Sequence, residues 1–414
     1  MKGERFLFVE SNTTGTGAMA VTRLLESGAH VSFLTRRPER YPFLSEPAPG
    51  LSVVVMDTND VQAVATRVEE VRRQRELDAV LTFSEFYVAI VAEVAARCGF
   101  RYLSPAAARL CRNKFETRRA LRVAGLATPW FHLAASEEEA RQAACLVTYP
   151  CVVKPPADSS SKGVRLVRDG AELVAHFRHL HSWRVNDRGQ PLSGEVLIES
   201  LLQGPEVSVE TMTLAPGDVR VLGITEKHLS PPPLFVETGH DFPAAVGDGE
   251  ATAIRGAVLA ALAAVGFDFG PAHTEVRLTA AGPVVVEINP RLAGGMIPEL
   301  VRHALGLDLL QAVLDQLRGR PVDLAPRRAE WASIRFVTAD RGGRLAGVNG
   351  VDEARRGANI REVSIIKRLG DCVRAAEEAA DRLGFVIASG PSRTEVVRGV
   401  EEAVKAIRLR VDPL

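Results

Sequence analysis

Between His273 and Asn289 the residue types alternate strictly enough to dictate how the backbone must run. Val276, Leu278, Val284, Val286 and Ile288 share one parity, and His273, Glu275, Arg277, Glu287 and Asn289 share the other. That period of two marks a strand pair with one buried face. The triplet Ala280-Ala281-Gly282 suits a three-residue hairpin loop with glycine in the left-handed region, and this register sets Glu275 directly opposite Glu287. Opposed Cβ atoms lie about 4.5 to 5.5 Å apart, so two carboxylates there repel unless a positive charge stands between them. A divalent cation resolves the conflict, and Asn289 on the same face adds a neutral oxygen. An all-oxygen set suits Mg²⁺ better than zinc and leaves coordination positions for phosphate oxygens. Taken alone, the pair also fits a solvated face on which Arg277 neutralises one glutamate.

The flanking residues shift the balance toward chemistry. Asn289-Pro290-Arg291 ends the strand by removing a backbone donor, which places the Arg291 guanidinium fork beside the carboxylates, able to hold a phosphoryl or carboxylate group. Leu292-Ala293-Gly294-Gly295 follows, where backbone amides can approach an anion. Upstream, Cys151-Val-Val-Lys154-Pro155 puts a lysine at the end of a buried strand, and Asp158-Ser159-Ser160-Ser161-Lys162-Gly163 offers hydroxyls, a lysine and a glycine for a phosphate lid. Judged alone, that loop equally fits a solvated turn. No G-x-x-x-x-G-K-[ST] run and no protein-kinase signature set occurs. Glu199 to Glu206 joins two strands through a glycine turn that could present backbone groups to a base and Glu206 to ribose hydroxyls, or could be a plain connector.

Around these motifs the chain reads as several α/β and α+β units. With 414 residues, 46% hydrophobic and 25% charged, it is long enough for two to four packed subdomains and gives no sign of disorder. The first 105 residues alternate strand and helix: Phe6–Glu10, Ala18–Glu26, His30–Thr35 and Ala79–Phe83, as in a domain with a parallel sheet. Residues 106–190 carry a charged helix over Arg112–Ala124 and the serine-rich loop. Residues 191–320 hold the hairpin, a long proline-rich loop over Ser230–Pro243 and a helix over Ala251–Gly266, and residues 321–414 form a closing α/β segment without a readable motif. Gly15-Thr-Gly17 follows a strand and opens a helix, yet Thr35-Arg36-Arg37 stands where a dinucleotide site carries an acidic residue. A tight structural turn is therefore preferred to a nicotinamide site.

Fifty-one basic and fifty-one acidic residues cancel, which removes the electrostatic footprint of a nucleic-acid binder. The longest apolar run, Ala257–Phe267, is too short to cross a membrane, and Phe6–Val9 is too short for a signal segment. Five scattered cysteines without a CxxC pair fit a reducing cytoplasm.

In their order and spacing these pieces resemble the ATP-grasp superfamily, over roughly residues 1 to 320. The resemblance implies a Rossmann-like pre-ATP-grasp domain, a two-lobed ATP-grasp fold and a C-terminal subdomain. It implies that Lys114 and Lys154 contact ATP phosphates, that Ser160, Ser161, Lys162 and Gly163 close over them, that Glu199 and Leu201 meet adenine, and that Glu206 holds ribose. Glu275, Glu287 and Asn289 would carry two Mg²⁺ ions, with Mn²⁺ as a substitute, and Arg291 would steady the transferred phosphate. Within the superfamily the Glu287–Gly295 run, with His273 two residues before the first glutamate, is similar to the L-amino-acid ligase branch. That branch joins a carboxylate to an amine through an acyl phosphate, commonly as a dimer and often in specialised metabolism. Arg291, Gly294 and Gly295 are expected to receive a substrate carboxylate, and Glu237, His240 and Asp241, on the proline-rich loop, the amine; His273 belongs to the same site. A γ-glutamyl ligase, a biotin-carboxylase-like enzyme and an NADP-dependent reductase are the competing readings.

Overall fold

The structure, a computed structural model, describes residues 3–13, 15–158, 162–231 and 236–413. Short apolar runs punctuated by turns pair as a parallel sheet at the N-terminus: β1 (Arg5–Val9), β2 (His30–Thr35), β3 (Leu51–Val55) and β4 (Ala79–Leu81), in the order β3-β2-β1-β4. The edge strand β3 was not expected from the sequence. It leaves Val53 and Val55 exposed, so its residues carry no clear inward-outward alternation. The strand order reverses between β1 and β4, which opens a crevice at their C-terminal ends, the position where ligands meet a sheet of this kind. Glu85 stands just beyond β4 on that crevice.

The small lobe is an antiparallel sheet of β5 (Phe131–Ala134), β6 (Cys151–Lys154), β7 (Arg165–Val167) and β8 (Val196–Ser200), in the order β5-β8-β6-β7. It packs on the helices Glu137–Leu146 and Gly170–His181 around a core of its own that includes Val153, Phe177 and Ile198. The helix expected over Arg112–Ala124 is two helices, Pro105–Arg112 and Lys114–Val123. Asn113 separates them because its side-chain oxygen accepts from the amides of Phe115 and Glu116, capping the second helix one residue before Lys114.

The large sheet joins β9 (Glu206–Ala215), β10 (Asp218–Leu229), β11 (Glu237–Phe242), β12 (Gly270–Thr279), β13 (Gly282–Asn289), β14 (Trp331–Val337), β16 (Ile360–Ile365) and β18 (Gly384–Gly390), ordered β13-β12-β9-β10-β11-β14-β18-β16. A smaller sheet of β17 (Cys372–Val373), β15 (Gly343–Asn349) and β19 (Arg408–Asp412) completes the C-terminal segment. The mixed α/β organisation read from the sequence is therefore the one the chain adopts. Two local expectations are corrected. The stretch expected as one long loop over Ser230–Pro243 contains β11, paired with both β10 and β14; Pro232 to Phe235 lie outside the described residues. The hairpin loop is also tighter than expected, since Thr279 pairs with Gly282. A bulge between Glu275 and Val276 then restores the pairing of Glu275 with Glu287. In consequence Val285 faces Val276 in the core, while Val286 lines the cleft.

The N-terminal and large sheets share a core in which Phe6, Phe8 and Phe33 meet Leu300, Leu310 and Ile334. That shared core fixes the crevice of the first domain against the hairpin of the large lobe.

Candidate active site

A cleft of about 340 Å³ opens between β6 and β8 of the small lobe and the β12–β13 hairpin of the large lobe. Glu275 and Glu287 are paired across the hairpin on this cleft, as the alternation requires. Each has its own cation. Glu275 Oε1 lies 2.7 Å from Lys227 Nζ and 3.4 Å from His273 Nε2, and Glu287 Oε1 lies 2.9 Å from Lys114 Nζ. Burial would raise the Glu275 carboxyl, but Lys227 and His273 outweigh it and hold the group well below the usual carboxylate range. Glu287 goes the other way: burial raises it, Glu85 and Glu275 add to that, and Lys114 offsets only part. With its amide nitrogen turned toward Glu85, Asn289 donates to that carboxylate at 3.0 and 3.1 Å and keeps its oxygen as an acceptor.

Among the described residues no three His, Cys, Asp or Glu side chains stand together in metal-binding geometry. The donor chemistry nevertheless fits Mg²⁺: two opposed carboxylates and an amide oxygen, all hard oxygens, one of the carboxylates short of positive charge. A cation entering here would take over the neutralising part that Lys114 and Lys227 now play.

The opposite wall is lined by cations. Lys154, at the end of β6, lies 2.5 Å from Glu199 Oε2, and the fully buried Arg118 lies 2.7 Å from Glu199 Oε1. Arg118 also donates to the Val286 carbonyl at 2.7 Å, tying the hinge of the small lobe to the hairpin bulge. Burial raises Glu199, but Arg118 and Lys154 reverse the shift and hold it low; burial lowers Lys154, offset in part by Glu199. Lys114 donates to the Asp158 carbonyl at 2.8 Å, which anchors the start of the serine-rich loop. Ser160 and Ser161 lie outside the described residues. Gly163 does not line the cleft; its carbonyl is 2.8 Å from His176 Nε2. Lys162 does line the cleft, pairs with Asp187 and lies 5.2 Å from the centre of the Trp183 ring. Leu201 lines the hinge. Gly204, at φ 132, lets the connector after β8 pass where any Cβ would run into the Leu278 carbonyl.

At the third wall, Lys227 on β10 is a buried hub, 2.6 Å from Glu206, 3.0 Å from Glu237 and 2.7 Å from Glu275. Burial lowers its ammonium, but the three carboxylates raise it well above its ordinary value. Glu206 also meets Arg277 at 2.7 Å. His273 lies 2.9 Å from Glu210; burial lowers it, yet Glu210 and Glu275 lift it to about 9, so it is a cation at neutral pH. His240 behaves oppositely. Buried, with both ring nitrogens lacking a hydrogen-bond partner among the described residues, it is pushed down to about 3 by burial despite Glu237 at 3.8 Å. That contact joins a neutral ring to a carboxylate and is not an ion pair. Gly294 and Gly295 line the same wall, and a Cβ at Gly295 would sit 2.5 Å from His240 Nε2.

Asp241 is a correction. As its neighbour His240 points to the cleft, the alternation of β11 turns Asp241 to the other face. There it accepts from Ser333 at 2.6 Å and from Arg335 at 2.8 Å, off the lining of the cleft. The preferred reading of the first glycine motif holds: Gly15, at φ 65, and Gly17, where a Cβ would collide with Ser11, form a tight turn into the helix Thr16–Glu26. The nearby crevice carries a buried carboxyl group. Glu10, at φ 53, accepts from Thr35, Thr58, Tyr41 and the Arg36 amide, so a dinucleotide phosphate would meet a carboxylate.

Sequence reading missed Glu85, Arg118, Lys227 and Arg382, all of which line the cleft. Glu85 gathers Arg112 and Arg291, the latter at 2.9 Å, and its position just past a strand of a parallel sheet was the available signal. A turn over residues 186–190 in the small lobe also reaches the N-terminal domain. Arg188 donates to Tyr41 Oη at 3.1 Å and to the Ser11 carbonyl at 3.4 Å, while Arg36 and Asn59 donate to the Arg188 carbonyl at 3.0 and 3.1 Å.

Comparison with known proteins finds the family and the fold. The ATP-grasp domain profile matches residues 147–299, and the profile for the L-amino acid ligase C-terminal domain 2 matches residues 335–412. The chain is 30% identical over 416 residues to the uncharacterized protein y4rH of Sinorhizobium fredii, covering 100% of this chain and 84% of that protein. It is 30% identical over 304 residues to carnosine synthase 1 of Gallus gallus, covering 68% of this chain and 32% of the synthase. It is 27% identical over 283 residues to the alanine–anticapsin ligase of Bacillus amyloliquefaciens, covering 64% of this chain and 59% of the ligase. The chain thus spans less than two thirds of those two enzymes. The crystal structure of an L-amino acid ligase from Bacillus licheniformis superposes with a TM-score of 0.83 at 23% identity over 100% of both chains. The biotin carboxylase domain of a Hydrogenobacter thermophilus carboxylase, solved with MgADP and bicarbonate, superposes with a TM-score of 0.76 at 16% identity, over 99% of this chain and 91% of that one. At those identities the two structures speak for the fold.

Proposed function

The chain belongs to the ATP-grasp ligases that carry an L-amino acid ligase C-terminal domain, and from that premise we propose that it joins the carboxylate of one amino acid to the amine of another at the expense of ATP. The observation that carries the reading is the pairing of Glu275 with Glu287 on a cleft whose facing wall holds Lys114 and Lys154 and whose end holds Arg291. Lys114 and Lys154 bind the nucleotide phosphates, and Ser160, Ser161, Lys162 and Gly163 close over them. The hinge at Glu199 and Leu201 meets the base, and Glu206 the ribose. Glu275, Glu287 and Asn289 hold Mg²⁺, which when bound neutralises charge on the phosphoryl group.

The carboxylate of the first amino acid attacks the γ-phosphorus, the bond to ADP breaks, and an acyl phosphate remains. The amine of the second attacks the acyl carbon and phosphate leaves with its electron pair, while the amine gives up a proton. Arg291, held by Glu85 and the Leu292 carbonyl, presents its fork to the charge that develops on the transferred group. The amides of Gly294 and Gly295 and the neutral His240 ring meet substrate oxygens, Glu237 meets the amino group, and His273, a fixed cation, orients Glu275. Catalysis of this kind rests on position and electrostatics and needs no side-chain nucleophile.

The finer parts of the proposal are two Mg²⁺ ions replaceable by Mn²⁺, a homodimer and a cytoplasmic setting. All five cysteines are free thiols, which supports a reducing environment, and among the described residues no helix is long and apolar enough to cross a membrane. The test is phosphate release from ATP with pairs of amino acids, followed by product mass. One phosphate per dipeptide is expected, whereas ADP release that requires bicarbonate and no amino acid overturns the reading.

A further inference from the structure

The cleft has one wall supplied from the far end of the chain. The turn before β18 brings Glu377, Glu378 and Arg382 to its lining, so the C-terminal segment reaches the same space as the hairpin. Arg382 is held there rigidly: its guanidinium lies 3.6 Å from the centre of the Phe336 ring, and its Nη2 donates to the Glu237 carbonyl at 3.1 Å and to Glu237 Oε2 at 2.9 Å. Its Nε is buried and has no partner among the described residues. A buried guanidinium nitrogen without an acceptor is costly unless a ligand supplies one. Lys227 stands 3.0 Å from Glu237, so that carboxylate stays neutralised if Arg382 turns part of its fork to something else. Glu237 is 3.8 Å from His240, and His240 lies against Gly295, which places Arg382 at the substrate end of the cleft and not at the nucleotide hinge.

We propose that the Glu237–Arg382 pair is the receptor for the amine-donating amino acid, with Arg382 taking its carboxylate and Glu237 its amino group. This deepens the ligase reading above and rests on it. A free α-amino acid presents one anion and one cation a few bonds apart, the complement of this side-by-side pair. It exchanges one internal ion pair for two external ones and strands no charge, whereas a bare amine leaves the Arg382 nitrogen unsatisfied. Arg382 acts by touching substrate, and the C-terminal segment thereby sets which acceptors are used.

The experiment has two arms. With the unaltered protein, hydroxylamine replaces the acceptor, and hydroxamate formation from ATP and each of the common amino acids shows whether a carboxylate is activated at all. Absence of hydroxamate with every amino acid overturns the ligase reading itself. In the second arm, acceptor amino acids are each compared with their own carboxamide in the unaltered protein and in Arg382→Gln. Loss of a charge-assisted contact to the carboxylate is expected to raise the acceptor KM by about 10- to 100-fold and to abolish the preference for the free acid over the amide. Arg382→Lys, which keeps the charge and loses the fork, is read in the same way and is expected to fall between. Hydroxamate formation together with an acceptor KM and an acid-over-amide preference that do not respond to either variant overturns the assignment of Arg382 alone.

Discussion

Lys227 carries more of the site than any residue whose spacing drew attention. One ammonium serves Glu206, Glu237 and Glu275, and removing it leaves one buried and two half-buried carboxylates to repel. Lys227→Met is therefore expected to cost about 3–5 kcal/mol of stability, read from chemical denaturation. Asp241, structural and not substrate-facing, makes a contrasting case. Burial raises its carboxyl, but His228 at 3.0 Å and Arg335 hold it below the usual range. A depressed carboxylate contributes stability that is present above the unfolded value near 4 and is lost as pH falls below it. Asp241→Asn should flatten the acid limb of the stability curve between about pH 4 and 2 while leaving the substrate KM values in place; a shifted KM would return Asp241 to the site. Glu275, Glu287, Asn289 and Arg291 were legible because a single hairpin holds them at fixed parity. Lys227 and Glu85 were not, because the hairpin residues they meet, Glu275 and Arg291, lie 48 and 206 positions away along the chain.

At the scale of elements, small devices aim the side chains. The Asn113 cap starts a helix at Lys114 and so points that lysine at Glu287. Asn113→Ala is expected to cost about 0.5–2 kcal/mol and to weaken ATP binding as the first turn frays, measured by thermal unfolding and by nucleotide titration. The hairpin shows how a motif can be read correctly through a wrong detail. Its pairing of Glu275 with Glu287 was legible from parity, although the loop is one residue shorter than expected and a bulge makes up the difference. Parity reports which face a residue belongs to; it is blind to where an extra residue is inserted. Strand β11 escaped for a different reason, since the prolines just before it read as loop while its polar residues gave no apolar face. What holds it is pairing on both edges, a property of the neighbours and not of the segment.

For the whole molecule, the small lobe has its own core and touches the N-terminal domain through the turn over residues 186–190. Asp187 in that turn also holds Lys162, so the contact is joined to the segment proposed to close over the phosphates. Arg188→Ala should raise the KM for ATP and speed limited proteolysis of the small lobe; unchanged values for both would make the contact incidental. The mixed α/β organisation, with a parallel sheet at the N-terminus, could be read from texture along the chain. The contact of the small lobe with the N-terminal domain could not, because it is made by Arg188, Arg36 and Asn59 across a turn far along the chain. The most far-reaching junction is the pairing of β11 with β14, which makes the strand bearing Glu237 and His240 an inner member of a sheet whose strands on that side, β14, β18 and β16, come from Trp331 onward. A gene that joined the first part of one relative to the tail of another would have to keep those rungs matched. Acceptor preference and tail are thus expected to descend as one heritable block, and a trimmed chain would lose its solubility along with its selectivity.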